Sequence, residues 1–301
     1  TVTPEDSVRV GGLLSGQADV IRAVEAQDEA QVRKSGFTIY APQTNGVNNH
    51  LSLRFRNDVL ADIRVRQALI AGIDRQELVD VIYTDSYPLA TSILSKGAVG
   101  YINTEDAFTF DAKRAARLLD EAGWLPGADG IREKNGVSLT LVANESAAQA
   151  RSFEALTLIS QQLAKIGVDL QILKADAGTA AEAVRDGDRV QVSHQMVARA
   201  DLDVIKSEFY STNRNTLLNL NYADTSIGDE QLEELLRAVA SEPVAEKRVA
   251  NSQAVQRYLA EQAYVIPLFE EPQVYGAAPT VHGLKFESVA RPSFLEVWLD
   301  K

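Results

Sequence analysis

Two acids, Asp201 and Asp203, follow the apolar run Val190–Val197. In open α/β sheets ligands collect beyond the carboxyl ends of strands, where this pair would lie. Unequal burial of two neighbouring carboxyls can separate their pKa values and divide the roles of general acid and general base. Asp201 and Asp203 could therefore serve an α/β hydrolase. The plainer alternative is a solvated acid or a helix cap, and Asp203 reads that way. Glu233 and Glu234 read as groups on a helix face turned to water, as most of the 42 Asp and Glu residues must be. His50, His194 and His282 are far apart and fit no H-x-x-x-H or H-E-x-x-H spacing. There is no G-x-S-x-G elbow. The glycines of GGLLSGQAD lack both the G-K-[ST] and the G-x-G-x-x-G pattern and read as a turn. Asp186-Gly187-Asp188 lacks the downstream Glu of a calcium loop and reads as a helix-to-strand turn. Asn144-Glu145-Ser146 fits a glycosylation sequon, a tripeptide that chance often produces. The chain has no cysteine, which excludes disulfides, thiol catalysis, iron–sulfur clusters and Cys-ligated zinc. No catalytic residue, metal site or cofactor is expected from the motifs alone.

The elements that would position these residues come from an ordinary globular composition, with 45% hydrophobic and 24% charged residues in 301. A net charge of -12 repels phosphate backbones and disfavours a nucleic-acid partner. No apolar run approaches the roughly 20 residues that span a bilayer. Helices are expected at 5–16, 27–34, from Asp62 through Ile70, from Asp74 through Ile82, and from Asp111 to Gly123. Further helices are expected at 147–166, Ala177–Arg185, 229–240 and 243–263, with Pro243 in a first turn. Asp74 and Glu77 have capping-box spacing. Strands are expected at Val20–Val24, Phe37–Tyr40, Leu51–Phe55, Leu139–Ala143, Val168–Leu173, Val190–Val197 and Tyr264–Phe269. Residues 42–50 read as a turn-rich break, 83–110 as a long surface loop, and 270–301 as edge strands or returning loops. The strand–helix–strand order between 139 and 197 argues an α/β protein.

Five segments together resemble one family. Asp62-Ile-Arg-Val-Arg-Gln-Ala68, running on to Gly72-Ile-Asp-Arg75, is similar to a "D-x-R-V-R-Q-A … a-I-D-R" signature. Asp111 to Trp124 matches "D-x-x-K-A-x-x-L-L-x-E-A-G", and Gln162 to Val168 matches "q-L-x-x-i-G-I/V". Leu14 to Asp19 resembles an "L-x-x-G-e-x-D" turn, and Ala263 to Leu268 an "a-p-v-i-P-l" strand. This series, in order from 13 to 268, resembles the extracytoplasmic solute-binding proteins of ABC importers, in the oligopeptide, dipeptide and nickel class (family 5).

The resemblance implies an α/β, periplasmic-binding-protein-like (type II) two-lobe architecture. It implies mostly the second lobe at 49–269, with incomplete pieces of the first lobe at 1–48 and 270–301. It implies the C-terminal part of a longer protein whose signal sequence lies outside this chain. The expected function is capture of a small solute, such as a short peptide, by closure of the lobes and delivery to a membrane ABC permease. The protein would be an extracytoplasmic, lipid-anchored monomer without enzymatic activity. Arg199, Asp201 and Met196, from Met196-Val-Ala-Arg-Ala-Asp201-Leu-Asp203, would contact solute, with Asn49 and His50 near the hinge. Alignment on the family's "D-P" puts Ala198 at its amine-pairing acid; sliding by three residues makes Asp201 that acid instead. Alignment on the D-x-R-V-R-Q-A motif puts Arg54 where the family often reads N-t.

Overall fold

The computed structural model describes residues 2–146, 149, 151–184, 186, 188–210 and 228–300. Arg185, Gly187, Ser211 and the expected helix start at 147–148 lie outside the described residues. The chain opens with α1 (Asp6–Leu14), β1 (Val20–Arg22), α2 (Ala26–Lys34) and β2 (Thr38–Tyr40). It continues through β3 (Gly46–Leu53), α3 (Ile63–Gly72), α4 (Arg75–Ile82) and α5 (Ala112–Glu121). A small sheet, β4 (Leu125–Pro126), β5 (Arg132–Lys134) and β6 (Val137–Ser138), precedes β7 (Thr140–Asn144). Then come α6 (Ser152–Ala164), β8 (Asp169–Leu173), α7 (Ala177–Ala183), β9 (Val192–Ala198), α8 (Val204–Phe209), α9 (Glu230–Ser241), α10 (Ala245–Glu261), β10 (Val265–Phe269) and β11 (Tyr275–Ala277). Two short strand pairs close the described chain, β12 (Val281–His282) with β15 (Trp298–Leu299) and β13 (Lys285–Phe286) with β14 (Pro292–Ser293).

The main sheet has the order β10-β3-β9-β7-β8. Its first three strands are antiparallel, while β7 runs parallel to both β8 and β9. Two parallel neighbours need a crossover, and α6 supplies it between β7 and β8. The strands alternate their side chains between two apolar clusters. Val265 joins the cluster of Phe55, Val204, Leu232 and Leu259, while Ile266 and Leu268 join that of Leu69, Leu141, Leu156 and Ile159. A second sheet, β1-β11-β2, is antiparallel throughout. The tail thus supplies a central strand, Tyr275–Ala277, where edge strands were expected. Pro272 and Pro279 flank that strand and leave its three N–H groups free to pair.

The signature residues tie elements together through carbonyls. Arg66 donates to Leu60 O (2.6 Å), Ala61 O (2.9 Å) and, twice, Gln262 O (3.1 and 2.9 Å), pinning α3 to the end of α10. Arg75 donates to Ala90 O (2.7 Å), Pro267 O (2.9 Å) and Phe108 O (3.2 Å), joining α4 to β10 and to the 83–110 segment. Burial lowers the Arg75 guanidinium to about 10. Asp74 caps α4 by accepting from Gln76 and Glu77 N–H, both at 3.1 Å. The reciprocal half of the expected capping box is made by Gln162. Its Oε1 accepts from Asp74 N–H (3.0 Å) and its Nε2 donates to Glu77 (2.7 Å).

Four expectations need correction. The break at 42–50 ends at 45, because β3 begins at Gly46 and is buried along its whole length. The 83–110 segment is not a surface loop. Residues 90–95 are buried, and Ile93 O accepts from Asn48 N–H at 2.8 Å. Glu233 is buried on α9, and only Glu234 faces water. Pro243 lies outside the first turn, since Val244 is the N-cap of α10. Asn144 of the sequon is also buried, at the end of β7.

Candidate functional site

β3 is paired on both sides, so its side chains are forced to alternate between the two faces of the sheet. Asn49 and His50 are both fully buried. Asn49 Nδ2 donates to Glu271 Oε2 (3.1 Å) and to Gln149 Oε1 (3.3 Å). With the amide so oriented, Asn49 Oδ1 must accept, and its partner is His194 Nε2 at 2.7 Å. His194 therefore carries its proton on Nε2, and Ser152 Oγ donates to Nδ1 at 2.7 Å. Ser152 Oγ in turn accepts from Ser146 N–H at 3.0 Å. Burial, then the neighbouring His50, holds His194 down at about 3, so this relay is neutral.

The relay ends on a carboxylate. Glu271 follows β10 and lines an open cleft of about 650 Å³ with Arg9, Arg22, Glu25, Tyr87 and Gln149. Burial pushes the Glu271 carboxyl up to about 7, against the Asn49 hydrogen bond and with help from Glu25. Glu25 is raised as well, chiefly by burial and then by Asp6. Arg9 donates to Asp6 and to Thr3 O (3.0 Å), Pro4 O (2.5 Å) and Ala23 O (2.9 Å). Arg22 donates twice to Gln273 Oε1, at 3.2 and 2.7 Å. A cleft of this size holds a small molecule, and its few placed polar groups can orient one. Two backbone segments cross between the sheets beside it. Thr44 N–H donates to Glu271 O (2.9 Å), and Gln273 N–H donates to Pro42 O (3.0 Å).

The expected site residues do not gather at one place. Asn49 stands behind the cleft. His50 turns to the other face, where Nε2 lies 2.8 Å from Glu208 Oε1 and 2.9 Å from Ser52 Oγ, and Nδ1 lies 2.8 Å from Asn48 O. That buried cluster fastens α8 to β3. Arg199 and Asp201 form an exposed ion pair of 2.9 Å just past β9, with side chains 47% and 45% accessible. Asp201 also accepts from Asp203 N–H at 3.0 Å. Met196 is half-buried on β9. The two aspartates therefore form no dry acid–base pair. Among the described residues no three His, Cys, Asp or Glu side chains converge to hold a metal ion. Glu271, Gln149, Glu25 and Arg22 were missed. One signal was available: Glu270 and Glu271 directly follow the apolar strand Val265–Phe269, the same placement that drew attention to Asp201 and Asp203.

Residues 1–215 match the family model described as bacterial extracellular solute-binding proteins, family 5 Middle. The chain belongs to that family. It is 23% identical to the dipeptide-binding protein of Escherichia coli K12, over 64% of this chain and 35% of the relative. It is 21% identical to di/tripeptide-binding protein 2 of Pseudomonas aeruginosa, over 99% of this chain and 54% of the relative. Among solved structures it resembles NikA from Brucella suis, crystallised with Fe(III)-EDTA, at a TM-score of 0.85 and 21% identity. It also resembles the oligopeptide-binding protein AppA from Bacillus subtilis, crystallised with a nonapeptide, at 0.76 and 18%. The whole chain is covered in both, against 61% and 60% of the respective solved chains. This family 5 chain therefore has the type II periplasmic-binding-protein fold. It spans from about a third to about half the length of these curated relatives.

Proposed function

We propose that this chain is part of the solute-binding component of an ABC importer, and that it captures a peptide-like small solute by lobe closure and delivers it to a membrane permease. The family match over residues 1–215 is the observation that carries the reading. Relatives named for dipeptides and tripeptides support a peptide-like solute. The second lobe spans 49–269, and the first takes 1–48 and 270–301. The paired crossing segments, Pro42–Thr44 and Glu271–Gln273, are where two such bodies would hinge. Asn49 holds the cleft wall, while Arg199, Asp201 and Met196 meet solute from the second lobe on closure and His50 stabilises the hinge behind them. The protein works outside the cytoplasm as a lipid-anchored monomer and performs no covalent chemistry.

Thermal unfolding against a panel of peptides and small solutes tests the reading. A solute at 100 times its Kd adds about 2.7 kcal/mol to stability and raises Tm, with the solute recovered unchanged. No shift with any solute, or turnover of one, would overturn the proposal.

A further inference from the structure

The cleft carries a charge preference that solute binding in general does not require, and the inference rests on the solute-binding reading. We propose that Glu271 is the specificity-determining residue of the cleft and receives a cationic group of the solute, an ammonium or a guanidinium, with Asn49 as its positioning residue.

The carboxylate is placed. Asn49, fully buried, holds Oε2 at 3.1 Å, and the Asn49 amide is itself fixed by His194 and Ser152 at 2.7 Å each. Rotation of the amide would set two acceptors against each other, so the donor stays turned to Glu271. The carboxylate is also uncompensated. Among the described residues no ion pair reaches Glu271, and the charged neighbour acting on it is Glu25, a second carboxylate on the same cleft. The two arginines of the cleft already donate elsewhere, Arg9 to Asp6 and three carbonyls, Arg22 to Gln273. A half-buried carboxylate without a cation is costly, and the cost falls when a ligand brings the charge. A neutral ligand gives no such return, and an anion adds to the repulsion.

The remaining wall suits the same chemistry. Tyr87 lines the cleft, and aromatic rings favour cationic groups within about 6 Å of their faces. A metal ion fits less well, because no group of three ligating side chains converges among the described residues. The neutral relay behind Glu271 brings no positive charge of its own, so discrimination falls on the charge of the solute.

The test is isothermal titration with putrescine, agmatine, dialanine and lysyl-alanine, each beside an acylated analogue that has lost the cationic group. The protein is the longest natural chain that carries these residues. At least one cationic member is expected to bind at least tenfold more tightly than its acylated analogue. In Glu271→Gln, which keeps a partner for Asn49, that ratio should fall towards one; in Glu271→Asp, which keeps the charge, the preference should persist. Asn49→Ser should lower the ratio as well, a change that mere loss of stability would not produce. Equal affinity for cationic and acylated members, unchanged in Glu271→Gln, overturns the cationic preference and leaves solute binding intact. Binding of neither kind overturns both.

Discussion

Replacing Glu271 by Gln should make the protein more stable at pH 8 and leave it unchanged at pH 4.5. The carboxyl is raised from the usual 4.5 to about 7, first by burial and then by Glu25, with the Asn49 hydrogen bond opposing. The native state therefore holds this proton more tightly than the unfolded chain does. Its contribution is fully present below pH 4.5 and is lost as pH rises through 7. At about 1.4 kcal/mol per pH unit, the loss is at most about 3 kcal/mol. Partial solvent contact at the cleft mouth reduces that to about 2 kcal/mol. Glutamine keeps an acceptor for Asn49 and never ionises. Urea unfolding of both proteins at pH 4.5, 6 and 8 reads the difference directly, because other titrating groups cancel between them. The gap should be near zero at pH 4.5 and about 2 kcal/mol in favour of the variant at pH 8. A gap that is constant across this range, or that favours the wild type as pH rises, would refute the burial argument.

His194 is expected to behave in the opposite sense. Its pKa is held at about 3, so its contribution to stability is present above pH 6.5 and is lost as pH falls towards 3. The imidazole C–H resonance should hold its neutral position down to pH 4, and movement between pH 6 and 7 would show the ring to be solvated. Arg75→Met leaves the Ala90, Pro267 and Phe108 carbonyls without their donor and should cost about 3–5 kcal/mol in urea unfolding, with amide exchange accelerated across 83–110. Arg199→Ala breaks an exposed ion pair and should change stability by less than about 0.5 kcal/mol. If Arg199 meets solute on closure, the same variant weakens solute binding at unchanged stability.

The helices were legible because their ends carry local chemistry. Asp62, Asp74 and Asp111 all cap through their side chains, and Gly123 has φ 85° just past α5. The fold followed from motifs that describe such ends. What escaped was polar sequence buried by long-range bonds. Asn48-Asn49-His50 looks like a loop by composition, yet each side chain is engaged in a central strand, with Asn48 Nδ2 donating to Ser92 O at 2.9 Å. The Ser- and Thr-rich 83–110 segment is buried for the same reason. Ser92 donates to Gln256 (3.1 Å), and Thr84 and Ser86 donate to the buried Glu29 (2.9 and 2.7 Å). Every one of these partners is more than 40 residues away, beyond the reach of any local pattern.

The same geometry explains why the signature names the family more firmly than the solute. Arg66 and Arg75 look like ion-binding residues, but their donors go to backbone carbonyls of α10, β10 and the buried 83–110 segment. Carbonyls are present whatever side chains line the cleft, so this bracing is indifferent to the ligand. The cleft residues are different in kind. Glu271, Glu25 and Arg22 lie on segments at the join of the two sheets, where the main chain is held by its own hydrogen bonds and the side chains are free to differ. Substituting Glu271 should therefore change what is bound without disturbing the frame, whereas substituting Arg75 should disturb the frame whatever is bound.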